Sequence, residues 1–341
     1  METITKREKS QIDSFLLYFV HMYDLVSIGD IKLDVFLGLD RCKEKCSLKK
    51  KNVCFNFGEK ISVELLDQQI AGSAPNVATA LSRMGKTTAV VSHMGQDEIH
   101  QRALKDLKNE NVETQYILAH RGLKSAYSSV LGLQGERTIL VSYINRPYHL
   151  PKNLQTKWLF MSEMGNGYET IYQELVKQVK KEKTLLALNP GNEQITEGKP
   201  ELFDLIREAK TLFVNVEEGK ELIKNKRVTI QALAEKLFKL GPNEVVITDG
   251  KNGSYGYDGT NLFHCPVFPA EVVEVTGAGD AFASGYLGAR MHGHAMKDGL
   301  KWGAVNAASV IQQVGPVPGL LTHQQILVRL RKNKSFTPVI L

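Results

Sequence analysis

The 341-residue sequence predicts an α/β protein, with a doubly wound, mostly parallel sheet flanked by helices and a small β lid. Two observations support this fold class. Short, almost continuously apolar runs alternate with amphipathic stretches of helical period, the pattern of strands covered on both faces. Two further segments break this order and read as antiparallel hairpins, which predicts a small sheet beside the main one.

Five apolar runs predict parallel strands, and each ends in glycine or polar residues. They are 25–28, 89–92, 185–188, 212–214 and 245–248. Five amphipathic stretches predict helices: 76–84, 99–109, 168–181, 230–240 and 295–313. Ligands of open α/β sheets bind at the carboxyl edge of the strands, so the site is expected where these runs end.

The lid is predicted from residues 35–70 and 123–145. The first segment holds a basic, cysteine-bearing stretch and two short strands, and the second holds two strands around a glycine turn. An edge sheet or a dimer interface is the alternative to a lid, and these roles are compatible. One large domain then spans residues 22–341, after an N-terminal extension of residues 1–21. Nothing later in the chain needs that extension, and Met22 is an alternative start of translation.

Composition and charge exclude several classes of protein. No apolar run reaches the roughly 18 residues that cross a bilayer, so no membrane partner is expected. The net charge of +6 is modest and spread along the chain, which argues against nucleic acid as a ligand. The early apolar segment Phe15–Val20 is short and has no cleavage site, so a cytoplasmic protein is expected. Cys42, Cys46 and Cys54 lack the paired spacing and the fourth ligand of structural zinc, and reduced thiols are expected.

The most informative stretch is Thr276–Gly285, which combines small residues, backbone N–H donors and one carboxylate. The N–H groups of Gly277, Ala278 and Gly279, with the start of a helix, predict an anion hole. Asp280 at its mouth is either a helix cap or a general base beside a phosphate. The stretch is no dinucleotide fingerprint, because phenylalanine stands where the third glycine is needed, and the chain contains no P-loop.

Polar residues at two other strand ends predict an acceptor site. Asp34 follows the first strand, and its carboxylate can accept two hydrogen bonds from a vicinal diol. Gly72, Ser73 and Asn76 lie at a strand-to-helix junction, where glycine permits close approach and Asn76 offers both a donor and an acceptor. The alternative for Asn76 is a helix cap. Arg137, on the second lid segment, approaches either the substrate or solvent.

With these residues in view, the chain resembles the ribokinase-like PfkB family of carbohydrate and nucleoside kinases over about Met22–Leu320. The segments Thr276–Phe282 and Gly72–Ala78, about 200 residues apart, are similar to the family's two signatures. The resemblance implies an ATP-dependent phosphotransferase that acts on an alcohol group. It implies that Asp280 is the general base and that Asp34 binds acceptor hydroxyls.

The resemblance also implies ATP and Mg²⁺ as cofactors. The ATP contacts that it implies are Asn215, Thr248, Gly250, Gly253, Thr276 and Asn306, and it implies that Glu218 organises Mg²⁺ through water. A capping box is the alternative for Asn215 with Glu218, and a solvent-facing helix position is the alternative for Asn306. The family's Asp-Thr before the glycine turn is Glu274-Val275 here. That aspartate often belongs to a monovalent-cation site, so the resemblance leaves K⁺ activation open, with main-chain carbonyls as the remaining candidate ligands.

These assignments predict a sugar kinase that phosphorylates a primary hydroxyl of a small ribose-like or fructose-like sugar. An adenosine- or cytidine-type nucleoside kinase is the alternative within the class, and it is favoured if Phe55 or Phe57 stacks on a base. A non-catalytic sugar or nucleotide sensor is the alternative from another class, and it predicts a damaged catalytic loop, whereas Asp280 is present. A homodimer through the lid is also implied by the resemblance.

Overall fold

The computed structural model describes residues 22–40, 42, 46–49, 52–133, 136–144 and 148–341. The predicted extension of residues 1–21 lies outside this part of the chain. The strands are β1 Tyr23–Ile28, β2 Lys32–Gly38, β3 Cys46–Lys49, β4 Asn52–Phe55, β5 Glu64–Ala71, β6 Thr88–Gly95, β7 Val112–Glu113, β8 Ile117–His120, β9 Ala126–Leu133, β10 Glu136–Ser142, β11 Thr156–Met161, β12 Leu185–Leu188, β13 Thr211–Asn215, β14 Glu244–Thr248, β15 Ser254–Tyr257, β16 Leu262–Cys265 and β17 Val339–Ile340. The helices are α1 Ser73–Arg83, α2 Glu98–Asn109, α3 Glu169–Glu182, α4 Asn192–Glu197, α5 Pro200–Arg207, α6 Val216–Leu222, α7 Ile230–Phe238, α8 Ala278–Met291, α9 Met296–Val310 and α10 His323–Lys332.

The main sheet of the described residues has eleven strands, in the order β17-β16-β15-β14-β13-β12-β11-β1-β6-β7, with β8 also paired to β6. The strands from β14 to β7 and β8 are parallel to their neighbours. Strands β15, β16 and β17 add an antiparallel edge. The predicted doubly wound, mostly parallel sheet is confirmed.

Strand β11 shows why the central strands are almost continuously apolar. Leu159 and Met161 pack in one hydrophobic cluster with side chains of α3. Trp158 and Phe160 pack in a second cluster with side chains of α8. Successive side chains of a strand point to opposite faces, so both faces of the sheet are covered by helices.

Four strands form a separate small sheet, in the order β10-β9-β2-β5. Strand β2 runs parallel to β9 and antiparallel to β5. Strands β9 and β10 form an antiparallel pair, and so do β3 and β4. The small sheet therefore brings β2, which follows the first strand of the main sheet, together with both predicted lid segments.

Helix α1 begins three residues earlier than the sequence pattern predicts. Gly72 is its N-cap residue, with φ of 127°, and Asn76 lies inside the first turns. The alternative interpretation of Asn76 as a helix cap is therefore wrong. The side chain of Asn76 is free of a capping role and points to another partner.

Cysteine chemistry differs in part from the expectation. Cys42 takes part in a disulfide, so the prediction of reduced thiols is wrong for this residue, whereas Cys54 and Cys265 are free thiols. Among the residues that the structure describes, no cluster of histidine, cysteine or acidic side chains is arranged to hold a metal. Over the same residues, no helix combines the length and the apolar character that a bilayer crossing requires.

Candidate active site

The glycine turn before α8 has the backbone that an anion site requires. Gly277 is the N-cap residue with φ of 78°, and a Cβ at this position would overlap with Pro316. Gly279 faces open space: apart from its chain neighbours and the backbone of its own helix, no heavy atom of the described residues lies within 4 Å of the place a Cβ would take. Gly277 is therefore required by its left-handed backbone conformation, and the lack of a side chain at Gly279 lets another molecule approach the backbone there.

The predicted anion hole differs from expectation at one of its three donors. The N–H of Ala278 donates to the carbonyl of Val275 at 3.2 Å. Within the described residues, the N–H groups of Gly277, Gly279 and Asp280 have no hydrogen-bond acceptor. The available donors are thus these three, at the positively polarised N-terminus of α8.

Asp280 lies in the first turn of α8 and contacts the other signature segment. The side-chain Nδ2 of Asn76 donates to Asp280 Oδ2 at 2.7 Å, and Ser73 also hydrogen-bonds the carboxylate. Burial raises the pKa of Asp280 to about 6, which the hydrogen bonds from Asn76 and Ser73 oppose. In the described part of the chain, no backbone N–H donates to this carboxylate, so it does not act as a cap. A carboxylate with a pKa near neutrality suits proton abstraction.

Asp34 lies on the face of the small sheet that also carries Lys32. Ser128 stands opposite Asp34 on β9 and donates its hydroxyl to Asp34 Oδ1. Asp34 is only 6% exposed, and burial raises its pKa above the usual range. The side chains of Lys32 and Asp34 share a face because residues two apart on a strand point the same way.

Two charged residues of this site were not predicted from the sequence. Lys32 Nζ forms a 2.5 Å ion pair with Glu163 Oε1. Glu163 follows the carboxyl end of β11 and acts electrostatically on both Asp34 and Asp280. The signal for Glu163 was present, since residues 158–161 are an apolar run that ends in Ser-Glu. Nothing in the sequence marks Lys32, because its importance depends on what lies across the sheet.

The buried residue Asp30 contacts two strand-to-helix junctions, through its carboxylate at Gly165 and through its backbone carbonyl at Gly72. Asp30 accepts hydrogen bonds from the Tyr148 hydroxyl and, at 2.8 Å, from the N–H of Gly165. Burial raises the pKa of Asp30 to about 6. Its carbonyl lies where a Cβ of Gly72 would be, so only glycine fits at the start of α1. These contacts give Asp30 a structural role.

The Asn215–Glu218 segment forms the capping box that was the alternative to a metal role. Glu218 N donates to Asn215 Oδ1 at 2.9 Å, and Asn215 N donates to Glu218 Oε2 at 2.8 Å. Burial raises the pKa of Glu218. One carboxylate oxygen remains outside the capping box, which fits a Mg²⁺ ion that keeps most of its water ligands.

The predicted nucleotide residues separate into two groups. Thr248, Gly250 and Gly253 lie at the turn between β14 and β15, on the carboxyl edge of β14. Asn306 is fully buried: its Nδ2 donates to Ala281 O at 2.9 Å and to a serine hydroxyl, and its Oδ1 accepts from a backbone N–H. The prediction of Asn306 as an ATP contact is wrong, and so is the solvent-facing alternative, because its amide braces α8 against α9.

Thr276 contributes to the shape of the glycine turn. Its N–H and its hydroxyl donate to Glu274 Oε1 at 2.7 and 2.5 Å. Arg137, for which the sequence left the partner open, lies 3.5 Å from the same oxygen. The site thus combines a buried carboxylate, N–H donors without an acceptor in the described residues and a polar face on the small sheet, an arrangement that suits phosphoryl transfer.

Comparison with known proteins gives the family. Residues 25–323 match the model of the pfkB family of carbohydrate kinases, and the chain belongs to that family. The ATP-dependent 6-phosphofructokinase of Thermoanaerobacterium thermosaccharolyticum is 21% identical over 314 residues, which cover 87% of this chain and 91% of the relative.

Two solved structures share the fold. A candidate ribokinase II of Escherichia coli in complex with ATP and Mg²⁺ has a TM-score of 0.76 at 16% identity, with coverage of 91% of this chain and 100% of the other. The nucleoside kinase of Burkholderia thailandensis in complex with inosine has a TM-score of 0.74 at 18% identity, with coverage of 92% and 100%. The ribokinase-like fold and the kinase class are therefore both confirmed.

Proposed function

We propose that this kinase transfers the γ-phosphoryl group of ATP to a primary hydroxyl of a small ribose-like or fructose-like sugar, with Asp280 as the general base. The observation that carries the proposal is the position of Asp280. Its carboxylate has a pKa near 6 and adjoins backbone N–H groups that lack an acceptor in the described part of the chain. A base beside an anion hole is what in-line transfer to an alcohol needs.

The acceptor hydroxyls bind to the polar face of the small sheet and to the start of α1. Asp34 offers its carboxylate, and the buried Oδ1 of Asn76 has no partner among the described residues. Asn76 Nδ2 meanwhile orients Asp280. One side chain thus contacts the acceptor and the base together, so the reacting hydroxyl is brought to the carboxylate that deprotonates it. Ser73 supports Asp280 from the same helix turn, and Gly72 permits the close approach.

ATP binds along the carboxyl edge of the main sheet. The ribosyl and adenine side lies by Thr248, Gly250 and Gly253, and the phosphates approach the N-terminus of α8. The open N–H groups there stabilise the charge on the transferred phosphoryl group. Mg²⁺ would neutralise phosphate charge, and Glu218 would hold it through water.

A nucleoside acceptor is the second candidate function. Phe57 is wholly exposed, so it does not belong to the packed core of the small sheet and is available to stack on a base. A homodimer through the lid is proposed on similar grounds, because the exposed side chains Leu65, Leu66 and Leu140 all lie on the small sheet. A sensor without catalysis is disfavoured by the complete catalytic turn. The expected location of the kinase is the cytoplasm, where ATP is abundant.

The proposal is tested by coupled ADP release with ribose, fructose, adenosine, cytidine and sugar phosphates, at several K⁺ concentrations. The Asp280→Asn variant sets the background of ATP hydrolysis. Turnover that requires a free sugar supports the main proposal, and turnover only with nucleosides supports the second. Binding of a sugar without any ADP release would contradict both and favour the sensor.

A further inference from the structure

The first connection between the small sheet and the catalytic turn is made by Arg137 on β10. Its guanidinium lies 3.5 Å from Glu274 Oε1. The same oxygen accepts both hydrogen bonds from Thr276, the residue directly before the glycine turn. A single carboxylate oxygen therefore joins a strand of the small sheet to the anion hole.

The second connection is made by Gln69 on β5. Its Nε2 donates to Val314 O at 3.0 Å. The next residue, Gly315, has φ of 89° and no room for a side chain, because Gln69 fills that space. Pro316 then packs over Gly277, at the place where a Cβ would be. This path ends at the N-cap residue of α8.

Both connecting residues lie in the same small sheet as Asp34. Gln69 is the register partner of Asp34 in the β2–β5 pair. Arg137 lies on β10, which pairs with β9, and β9 carries the Ser128 that hydrogen-bonds Asp34. Backbone hydrogen bonds make the four strands one body, so a displacement of Asp34 displaces Gln69 and Arg137 as well.

We propose that Arg137 and Gln69 are positioning residues that couple the seating of the acceptor to the geometry of the anion hole. Both contacts are made in the structure and hold the turn at Gly277, so a position of the small sheet that is set by acceptor binding at Asp34 is passed on to that turn. Arg137 also compensates the charge of Glu274, whose second oxygen has no hydrogen-bond partner in the described residues. Without that compensation, a carboxylate beside the anion hole would repel the charge on the phosphoryl group in the transition state of transfer. The inference rests on the proposed function.

A positioning role and a merely structural role predict different outcomes. Side chains of Arg137 and Glu274 are 30% and 19% exposed, and ion pairs near the surface contribute little to stability. We therefore expect Arg137→Ala to unfold at nearly the wild-type temperature. Its kcat is expected to fall 10- to 100-fold, since small misplacements of catalytic groups have effects of this size. The KM for ATP is expected to change less than threefold.

The test uses the full-length kinase with whichever acceptor it turns over. Arg137→Ala, Glu274→Gln and the double variant are compared, with Arg121→Ala as the control for an exposed arginine outside the contact. The double variant is expected to be no slower than the slower single variant. Added guanidinium and the Arg137→Lys variant are each expected to restore part of kcat. Multiplying losses in the double variant, or an unchanged kcat in Arg137→Ala, would overturn the proposal.

The path through β5 has its own matched pair of variants. Gln69→Leu removes the donor to Val314 O, whereas Gln68→Leu changes an exposed neighbour that points to the other face. We expect only Gln69→Leu to lower kcat, by about tenfold. Equal effects of the two variants would contradict the role of Gln69.

Hydrogen exchange separates this proposal from the proposed function. Amides of residues 273–281 are expected to exchange faster in Arg137→Ala and Gln69→Leu than in wild type, without any substrate present. Wild-type protein that turns over no acceptor would refute the proposed function, and the exchange result would still decide whether the two contacts hold the turn, on which the coupling depends. Unchanged exchange in both variants would overturn it.

Discussion

Replacement of Asp280 by asparagine tests the central chemical assignment. Asparagine can still accept the 2.7 Å hydrogen bond from Asn76 through its Oδ1, so the geometry of the turn is expected to persist. What is lost is the basic group. General bases contribute roughly 10²–10⁴ in rate. This corresponds to about 2.7–5.4 kcal/mol in the activation free energy. We expect kcat to fall within this range and ATP affinity to stay within a few-fold of wild type.

The assignment of Asp280 as the base also predicts in which direction the activity changes with pH. The base acts in its ionised form, so kcat/KM of the wild type should fall as pH drops through about 6, the raised pKa of Asp280. The same raised pKa changes the free energy of unfolding in the opposite direction, because proton binding is linked to folding. An acid whose pKa is raised by folding stabilises the protein at low pH, and this contribution is lost as pH rises through about 6. Asp280→Asn, which carries no charge, is therefore expected to be at least as stable as wild type at pH 8.

The assay is coupled ADP release from pH 5 to 9, with thermal unfolding measured alongside. Asp298→Asn is the control, since it makes the same acid-to-amide change at the start of α9, next to the far end of α8. It is expected to leave both kcat and the acid limb unchanged. An Asp280→Asn variant that retains more than a tenth of wild-type kcat, or that keeps the acid limb, would refute the assignment of the base.

Three further predictions follow from the packing. Gly277→Ala should destabilise the protein by at least about 1–2 kcal/mol, because the φ of Gly277 is 78° and a Cβ there would overlap with Pro316. Gly279→Ala is the matched control: its position is helical and open, so the melting temperature should stay unchanged or rise slightly. Lys32→Met should raise the KM for the acceptor about tenfold and leave the KM for ATP unchanged, because Glu163 loses its ion-pair partner. Equal changes in the two KM values would count against this reasoning. His323→Gln should reduce the loss of stability that thermal melts show below pH 6.5. Burial, with two histidines nearby, lowers the pKa of His323, so the folded state favours its neutral form. The stability that this contributes is lost as pH falls, and glutamine does not titrate.

Local sequence patterns predicted the main sheet and the glycine turn because their causes are local. The run Leu186–Leu188 is apolar because both faces of the strand are covered there, and this holds whatever the neighbouring strands are. The helix after Gly277 and the small residues of its first turn follow from backbone geometry alone. Strand β11 was missed, although its apolar run was visible, and Glu163 at its end was missed with it.

The errors in the site have a common physical origin. Asn306 looked like a polar residue on a helix surface or at a ligand, and the structure buries it between α8 and α9, where backbone groups satisfy its amide. Ala278 looked like a free donor, and the turn pairs its N–H with Val275. In both cases the hydrogen bonds that form depend on which backbone groups lie nearby in space, and the sequence does not specify which groups those are.

The sequence by itself determined the class of sheet, the glycine turn before α8 and the carboxylate that follows it, since each depends on local runs of residues. Only the tertiary structure decided that Asn76 meets Asp280 across 204 residues of chain and that Lys32 meets Glu163 across 131. These pairs form because the order of strands in the two sheets brings distant strand ends to one edge. Burial at that edge then gives Asp280 a pKa near neutrality, which no local pattern encodes.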